Sequence, residues 1–352
     1  MLKSFTQPIF CFLFCLVLLP DICAQDPRFS QYYASPWSLN PAMTGVFNGQ
    51  WRVAANYRDQ WNSFLTPVPF RTYAVSFETR FNVANEDYAS FGVGAMHDEA
   101  GTARYSQNKV QVGGAFLKQL SGGYNRAENY LSAGAQVGFG QNSLDWGRLW
   151  FSRQFDGATE TPDYTAASGE AMTDGQTNLY LDFNAGLLWY TVFGDNGFFY
   201  AGGAMHHLNK PKISLLGNDA ETLYSRWSGH AGAQLPVTEN FALLPGAQIM
   251  KQGPAMEMDL GLNLRYSNND VDELALRFGA WARVGNKLDR GYQMDAITVV
   301  GMLELNRWMP GLSYDVTVSG LTLANNSRGA FELSLIYFHP EHRRSRVTCP
   351  RF

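Results

Sequence analysis

Glu257, Asp259, Arg265, Arg277, Arg283, Asp315 and Glu332 each stand between apolar neighbours near the end of the chain. In an extended backbone, alternate residues share a face, so these side chains converge on one side of adjacent strands. Carboxylates and guanidiniums gathered this way can pair across strands and brace an interior. They can also line a channel and set its selectivity. With both signs mixed, bracing is the reading adopted. The six histidines are the other candidates for chemistry: His97, His206, His207, His230, His339 and His342. The run "HDE" (97–99) has metal-ligating residue types but no second cluster at ligand spacing. His206 and His207, as neighbours on a strand, are expected to point to opposite faces and not to chelate jointly. No G-x-S-x-G run and no Cys/His arrangement occurs, so neither an enzyme nor a cofactor is predicted.

One long connection has a different character. "FDGATETPDYTAASGEAMTDG" (155–175) holds Asp156, Glu160, Asp163, Glu170 and Asp174, with Tyr164 among them and no Lys or Arg. A solvated loop is the plain reading, and a weak Ca²⁺ site built from oxygen ligands is a second. Loops of this length without structure of their own are usually functional or mobile, which favours contact with a partner.

The elements that must position these residues read as strands. In "AMEMDLGLNLRY", Met256, Met258, Leu260, Leu262, Leu264 and Tyr266 fall on one face, and Glu257, Asp259, Asn263 and Arg265 on the other. "GLSYDVTVSG" and "GAFELSLIYF" alternate in the same way, as expected of half-buried strands. About fourteen such runs lie between 50 and 338. Tight connections, "GDNG" (194–197), "PVTEN" (236–240) and "NRWMP" (306–310), follow even-numbered runs. Long ones, 59–69, 141–178, 209–224 and 321–329, follow odd-numbered runs. Short turns on one side and long loops on the other, with an even strand count, are the habit of outer-membrane barrels with both termini periplasmic. The short "KQGP" (251–254) departs from that pattern. The fold class expected is therefore an all-β transmembrane antiparallel barrel, with a soluble β-sandwich pair as the alternative. Trp51, Tyr57, Trp61, Trp189, Tyr190, Trp308, Tyr337 and Phe338 are expected near headgroup level, where aromatic rings are favoured.

Composition agrees. The chain combines 34 Gly and 24 Phe with only 16% charged residues, yet its mean hydropathy of -0.22 is too polar for a bundle of membrane helices. Residues 1–24 read as an export signal: Lys3, then "IFCFLFCLVLLP", then a small residue before Gln25. Its removal takes Cys11, Cys15 and Cys23 and leaves Cys349 alone, so no disulfide framework is expected. A net charge of -4 argues against nucleic acid as a partner.

Residues 25–49, beginning "QDPRFSQYYASPWSLNPAMTG", fit neither strand nor linker. Pro27, Pro36 and Pro41 forbid a regular ladder, while Phe29, Tyr32 and Trp37 need burial. With Asn40 and Pro41, they are expected to fold at or into the periplasmic mouth of the barrel (50–338) and plug it. Residues 339–352 form a basic tail, with Arg343, Arg344, Arg346 and Arg351 against Glu341.

The order and spacing of several stretches resemble one family, the PorP/SprF membrane proteins of the type IX secretion system of Bacteroidota. They are "DPRFSQYYASPWSLNPAMTG" (26–45), "YRDQW" (57–61), "SLDWGRLWFSRQFD" (143–156), "HLNKPK" (207–212), "PGAQIMKQG" (245–253), "SYD" (313–315), "ELSLIYF" (332–338) and the closing "CPRF". The resemblance implies an outer-membrane barrel that exports or anchors a large cell-surface adhesin through its C-terminal domain. It also implies periplasmic contact with other secretion subunits and a link to gliding motility. Two rival functions stand beside it: a plugged transporter of a hydrophobic or small solute, and an outer-membrane hydrolase.

Overall fold

The computed structural model describes residues 25–61, 70–84, 87–123, 126–170, 175–194, 196–215, 221–268, 274–287 and 291–340. The export signal assigned to 1–24, Asp174, and the tail from 341 onward lie outside the described residues.

Fourteen antiparallel strands close into a barrel. They are β1 (Trp51–Gln60), β2 (Phe70–Ala84), β3 (Asp87–Ala100), β4 (Tyr105–Gly123) and β5 (Arg126–Ser143). Next come β6 (Tyr180–Phe193), β7 (Gly197–His206), β8 (Arg226–Pro236), β9 (Phe241–Gln252) and β10 (Ala255–Asn268). The last four are β11 (Leu274–Asn286), β12 (Tyr292–Leu305), β13 (Trp308–Thr317) and β14 (Arg328–His339). Each strand pairs with its sequence neighbours, and β14 closes on β1 from Trp51↔His339 to Gln60↔Ala330. Closure leaves no unpaired edge, which a strand in hydrocarbon requires.

The two ends of the barrel differ. Short connections, such as 237–240 and the two-residue turn 306–307, gather at the end where β1 starts, here the turn end. The opposite, loop end carries 144–179, 207–225 and 318–327. It also carries tight connections at 101–104 and 253–254, so not every odd-numbered strand is followed by a long loop. In the turn 306–307, Asn306 takes φ 54°, the left-handed conformation that a two-residue hairpin joining Leu305 to Trp308 needs.

Alternation decides which solvent each face meets. Leu262 is 41% exposed while Asn263 beside it is 4% exposed; Tyr314 is 43% exposed while Asp315 is 2% exposed. The outward face is thus apolar all round the barrel, and the polar strand side chains point inward. A soluble sandwich would show the reverse. No helix among the described residues is long and apolar enough to cross a membrane, and the strands do the crossing.

Aromatic rings collect at the turn end of the closing seam. Trp51 stacks on His339 at 4.8 Å and meets Tyr337 at 5.1 Å, and Tyr337 meets Trp308 at 4.6 Å. Of the expected pair at the end of β6, Trp189 points outward. Tyr190 instead is fully buried and stacks on Tyr130 at 4.8 Å inside the barrel. Adjacent strand residues cannot both face lipid, so only one of the two can join a girdle.

Pro245 sits in the middle of β9, where a ladder donor is missing. Pairing with β10 continues unbroken past it, but on the β8 side it lapses between Gly232↔Gly246 and Leu235↔Leu243. The barrel tolerates the proline by interrupting one seam.

The face assignment makes a quantitative prediction. Leu262→Arg places a charge on the outward face near mid-strand, and should cost about 2–4 kcal/mol in reversible bilayer refolding. A change within about 0.5 kcal/mol, the range of neutral surface substitutions, would mean that this face does not meet lipid.

Candidate functional site

Fourteen strands enclose more space than inward side chains alone can fill, and the N-terminal segment occupies it. Residues 32–34, 36–39 and 41–43 form three short helical turns, two of them opened by Pro36 and Pro41 at the first position, where a missing N–H costs nothing. Asn40 joins the second and third turns: its side chain accepts from Ala42 N at 2.9 Å and donates to Leu187 O of β6 at 3.0 Å. Phe29, Tyr32, Trp37, Asn40 and Pro41 are all buried. Tyr32, Tyr33, Leu39, Met43 and Val46 share one apolar cluster with wall residues that include Leu188, Tyr190, Trp281, Met302 and Ile336. Tyr32 meets Trp281 edge-on at 5.4 Å. The main hydrophobic core of this protein therefore lies inside the barrel, between plug and wall.

Wall glycines make the fit possible. A Cβ on Gly94 of β3 would fall 2.3 Å from the Trp37 ring nitrogen, and one on Gly186 of β6 would fall 2.0 Å from Asn40 Oδ1. Any side chain at these positions would push the plug off its seat.

The segment crosses the whole lumen, and this differs from a plug confined to the turn-end mouth. Near the turn end, Gly45 N donates to Glu78 Oε2 (3.1 Å), itself gripped by Arg52, and Gln50 N donates to His339 O (2.7 Å). At the loop end, Asp26 accepts from Lys109 Nζ at 2.6 Å and Arg226 at 3.1 Å, and also contacts His207. Chain direction through the barrel is fixed by charge at both ends.

Between them stands the largest ion-pair network. Asp315 Oδ2 accepts from Arg58 (2.9 Å) and Arg283 (2.8 Å), and its Oδ1 accepts from Thr298 (2.7 Å). Arg283 also reaches Asp259 at 3.1 Å. Ser30 of the plug sits at the hub, donating to Asp315 at 2.8 Å and accepting from both arginines. Glu332 receives the backbone N–H groups of Ser30 (2.7 Å) and Gln31 (2.9 Å), and Arg28 pairs with Glu257. Of the lumen residues read from sequence, Glu257, Asp259, Arg283, Asp315 and Glu332 thus meet around the plug. Arg265 and Arg277 join a separate cluster on Glu304 nearer the turn end. Sequence reasoning missed Arg58, Glu304, and the meeting of Asp26, Lys109, Asp182 and His207. Arg58, Glu304 and Asp182 carried the same alternation signal; the long-range meeting had no local signal.

His206 and His207 do not face opposite ways. His207 follows the end of β7 with φ 56°, which breaks the strand alternation and turns both rings inward. His206 then contacts Leu39 O at 3.3 Å, and His207 lies between Asp26 and Asp182.

The acidic connection is folded. Phe155–Asp156 pairs with Thr161–Pro162 as a small hairpin, and Gln154 ties it down by donating to Ala166 O at 3.0 Å. Asp156 and Asp163 cap turns: Ala158 N donates to Asp156 at 2.9 Å and Thr165 N to Asp163 at 2.8 Å. Those backbone and hydroxyl donors hold both carboxyls below the usual range. Glu160 and Glu170 point into solvent. No three such ligands gather to hold a metal among the described residues, which gives the Ca²⁺ reading no support. Trp150, Phe155 and Tyr164 are exposed in the connection between β5 and β6.

An outward apolar surface, a lumen occupied by the chain's own N-terminal segment, and long loops at one end define a β-barrel of the outer-membrane type. The chain belongs to the family of type IX secretion system membrane proteins PorP/SprF, whose model matches residues 22–337. That membership and the fold point to the outer membrane and imply association with secretion-system components and secreted cargo; neither is that of an enzyme. No curated protein matches the chain. Among solved structures, it is similar to the Pseudomonas putida toluene transporter TodX (11% identity, TM-score 0.46, covering 89% of this chain and 94% of that one). It is also similar to the Ralstonia pickettii toluene transporter TbuX (9%, 0.46, 85% and 92%). A third is CdiB from Acinetobacter baumannii (9%, 0.43, 82% and 60%).

The hub predicts the effect of its loss. Asp315→Leu leaves Arg58 and Arg283 short of a buried counter-charge and should destabilise the folded barrel by about 3–5 kcal/mol. It should also expose residues 26–31 to added protease before the barrel unfolds. A stability change below about 1 kcal/mol with the segment still protected would mean that the network does not hold the plug.

Proposed function

We propose that this protein holds a large secreted surface protein at the outer membrane, engaging its C-terminal domain at the loop end. Other subunits of the secretion machine would meet the turn end. The observation that carries this reading is the filled lumen. Residues 29–47 are packed into the apolar core and fixed by charge at both ends, so the barrel as folded is a scaffold whose accessible surfaces are its loops and turns. Function then belongs to those surfaces, as is usual for loops borne on a rigid frame. Long loops are directed outward in barrels of this type, and that habit supports reading the 144–179 connection as the surface that meets an exported protein. The transporter reading needs the plug to leave, against its buried contacts along the whole lumen.

The test is affinity purification of the tagged chain from native outer membranes, followed by mass spectrometry. A very large exported protein is expected in near-stoichiometric amount, and it should be lost when residues 145–170 are replaced by a short linker that leaves the barrel folded. Secretion subunits without cargo would move the role to the core machine. A lone barrel carrying lipid or solute would favour transport. In planar bilayers the intact chain should be closed, and deletion of 26–45 should either open a conductance or prevent folding. A folded, still-closed deletion would show that the segment is not what seals the lumen.

A further inference from the structure

The folded connection at the loop end carries two independent features that point to one kind of ligand. The first is aromatic. Trp150 and Phe155 stack at 5.9 Å with each 47% exposed, and Tyr164 is 61% exposed. Exposed aromatic rings in contact with one another, rather than scattered singly, are the kind of surface that marks an interaction site. The second is charge. Between 155 and 170 stand Asp156, Glu160, Asp163 and Glu170 without one Lys or Arg. Asp156 and Asp163 spend hydrogen-bonding capacity on their own turns but keep their charge. Glu160 and Glu170 form no ion pair among the described residues. Of the nearby cations, Arg148 is engaged by Asp145 at 2.9 Å and Arg153 lies against the backbone at Gly169. The loop therefore joins an exposed aromatic stack to a net negative charge, with Arg153 beside Gly169 as a cation lying against the 155–170 stretch.

We propose that this surface binds an arginine-bearing protein face. A guanidinium is the side chain that both features fit: it stacks flat on indole and phenol rings while its N–H fork pairs with carboxylates. A lysine ammonium satisfies the charge but not the stack, so arginine should be preferred. The proposal rests on the reading of this loop as a docking site and gives the chemistry of the face that docks: arginines at its centre and a positive field around them. Negative charge on the loop steers that face to it, so association should be fast at low salt and slow as salt rises.

The experiment uses the full chain in nanodiscs of zwitterionic lipid and three labelled decapeptides, of arginine, lysine and glutamate, with binding read by fluorescence anisotropy. Deca-arginine should bind saturably and several-fold more tightly than deca-lysine, and deca-glutamate should not bind. Glu160→Gln with Glu170→Gln should weaken deca-arginine about tenfold at low salt and flatten its salt dependence, since two of the steering charges are gone. Trp150→Ala with Phe155→Ala should abolish the preference for arginine over lysine. Equal binding of deca-arginine by the parent and both variants, or binding of deca-glutamate, overturns the proposal. The outcome is separable from that of the anchoring role. Peptide results as expected, with no surface protein purified from native membranes, would sink anchoring alone. A purified surface protein whose capture and salt dependence ignore all four substitutions would sink the arginine face alone.

Discussion

A closed barrel of fourteen strands has to put something in its middle, and the rest of this structure depends on what that is. Eight strands make a barrel whose inward side chains just fill it; fourteen do not. Water would serve if the inward face were a channel lining. Here the lumen is packed instead with three helical turns from the chain's own start, and the wall is built to receive them. Glycines at 92, 94 and 186 leave the volume for Trp37 and Asn40. Serine hydroxyls on β5 and β8 donate to the carbonyls of Ala42 (2.7 Å) and Leu39 (3.0 Å). The plug is too short to hold its own shape and the wall too wide to fill its own centre, so each supplies what the other lacks.

The charges in that interface are best understood as devices of position. Buried ion pairs contribute little net stability, because the cost of drying both partners offsets most of their attraction. Removing one partner is costly, however, so a buried network penalises every arrangement but one. Ser30 can sit only where Asp315, Arg58 and Arg283 converge. Glu332 divides its oxygens between the backbone N–H groups of Ser30 and Gln31 and the guanidinium of Arg58. Asp26 is held by cations from β4 and β8 at the loop end, and Gly45 by Glu78 at the other. Apolar packing would let a proline-rich segment slide; the charges set its register along the barrel axis.

How much of this was legible in the sequence follows from the range of each interaction. Alternation is local, so the strands, their faces and their inward charges could be read from runs such as "AMEMDLGLNLRY", and so could the burial demanded by Tyr32 and Trp37. Contacts between residues some 300 positions apart cannot be read that way: Ser30 to Glu332 has no signal in either neighbourhood. Local breaks of alternation were misread for a related reason. His207 looked like the second residue of a strand, and only its positive φ, imposed by the chain leaving β7 toward Asp26 and Asp182, turns it inward. Pro245 lies inside a run read as a strand, and β9 keeps it because the barrel drops pairing on one side while holding it on the other. The acidic loop was legible as a surface, but its hairpin and its exposed Trp150–Phe155 stack were not, since "DWGRLWFSRQFD" has no period of either kind.

The path of the plug also constrains the order of assembly. Asp26 lies at the loop end and Gly49 at the turn end, so the segment runs lengthwise through a barrel whose wall surrounds it on all sides. A barrel closed first would have to admit that segment by threading, past glycine-lined seats that leave no slack and charged groups that would meet it out of register. The wall has its own reason to wait: until the plug arrives, Glu332 and Glu78 lack the backbone donors they hold in the folded state. The seam between β1 and β14 joins residues as far apart as Trp51 and His339, the most distant pairing in the sheet and the one with the largest loop-closure cost. Both arguments point the same way. Loop-closure cost therefore favours the β1–β14 seam as the late one, closed around a segment that the charges at the two ends hold in register.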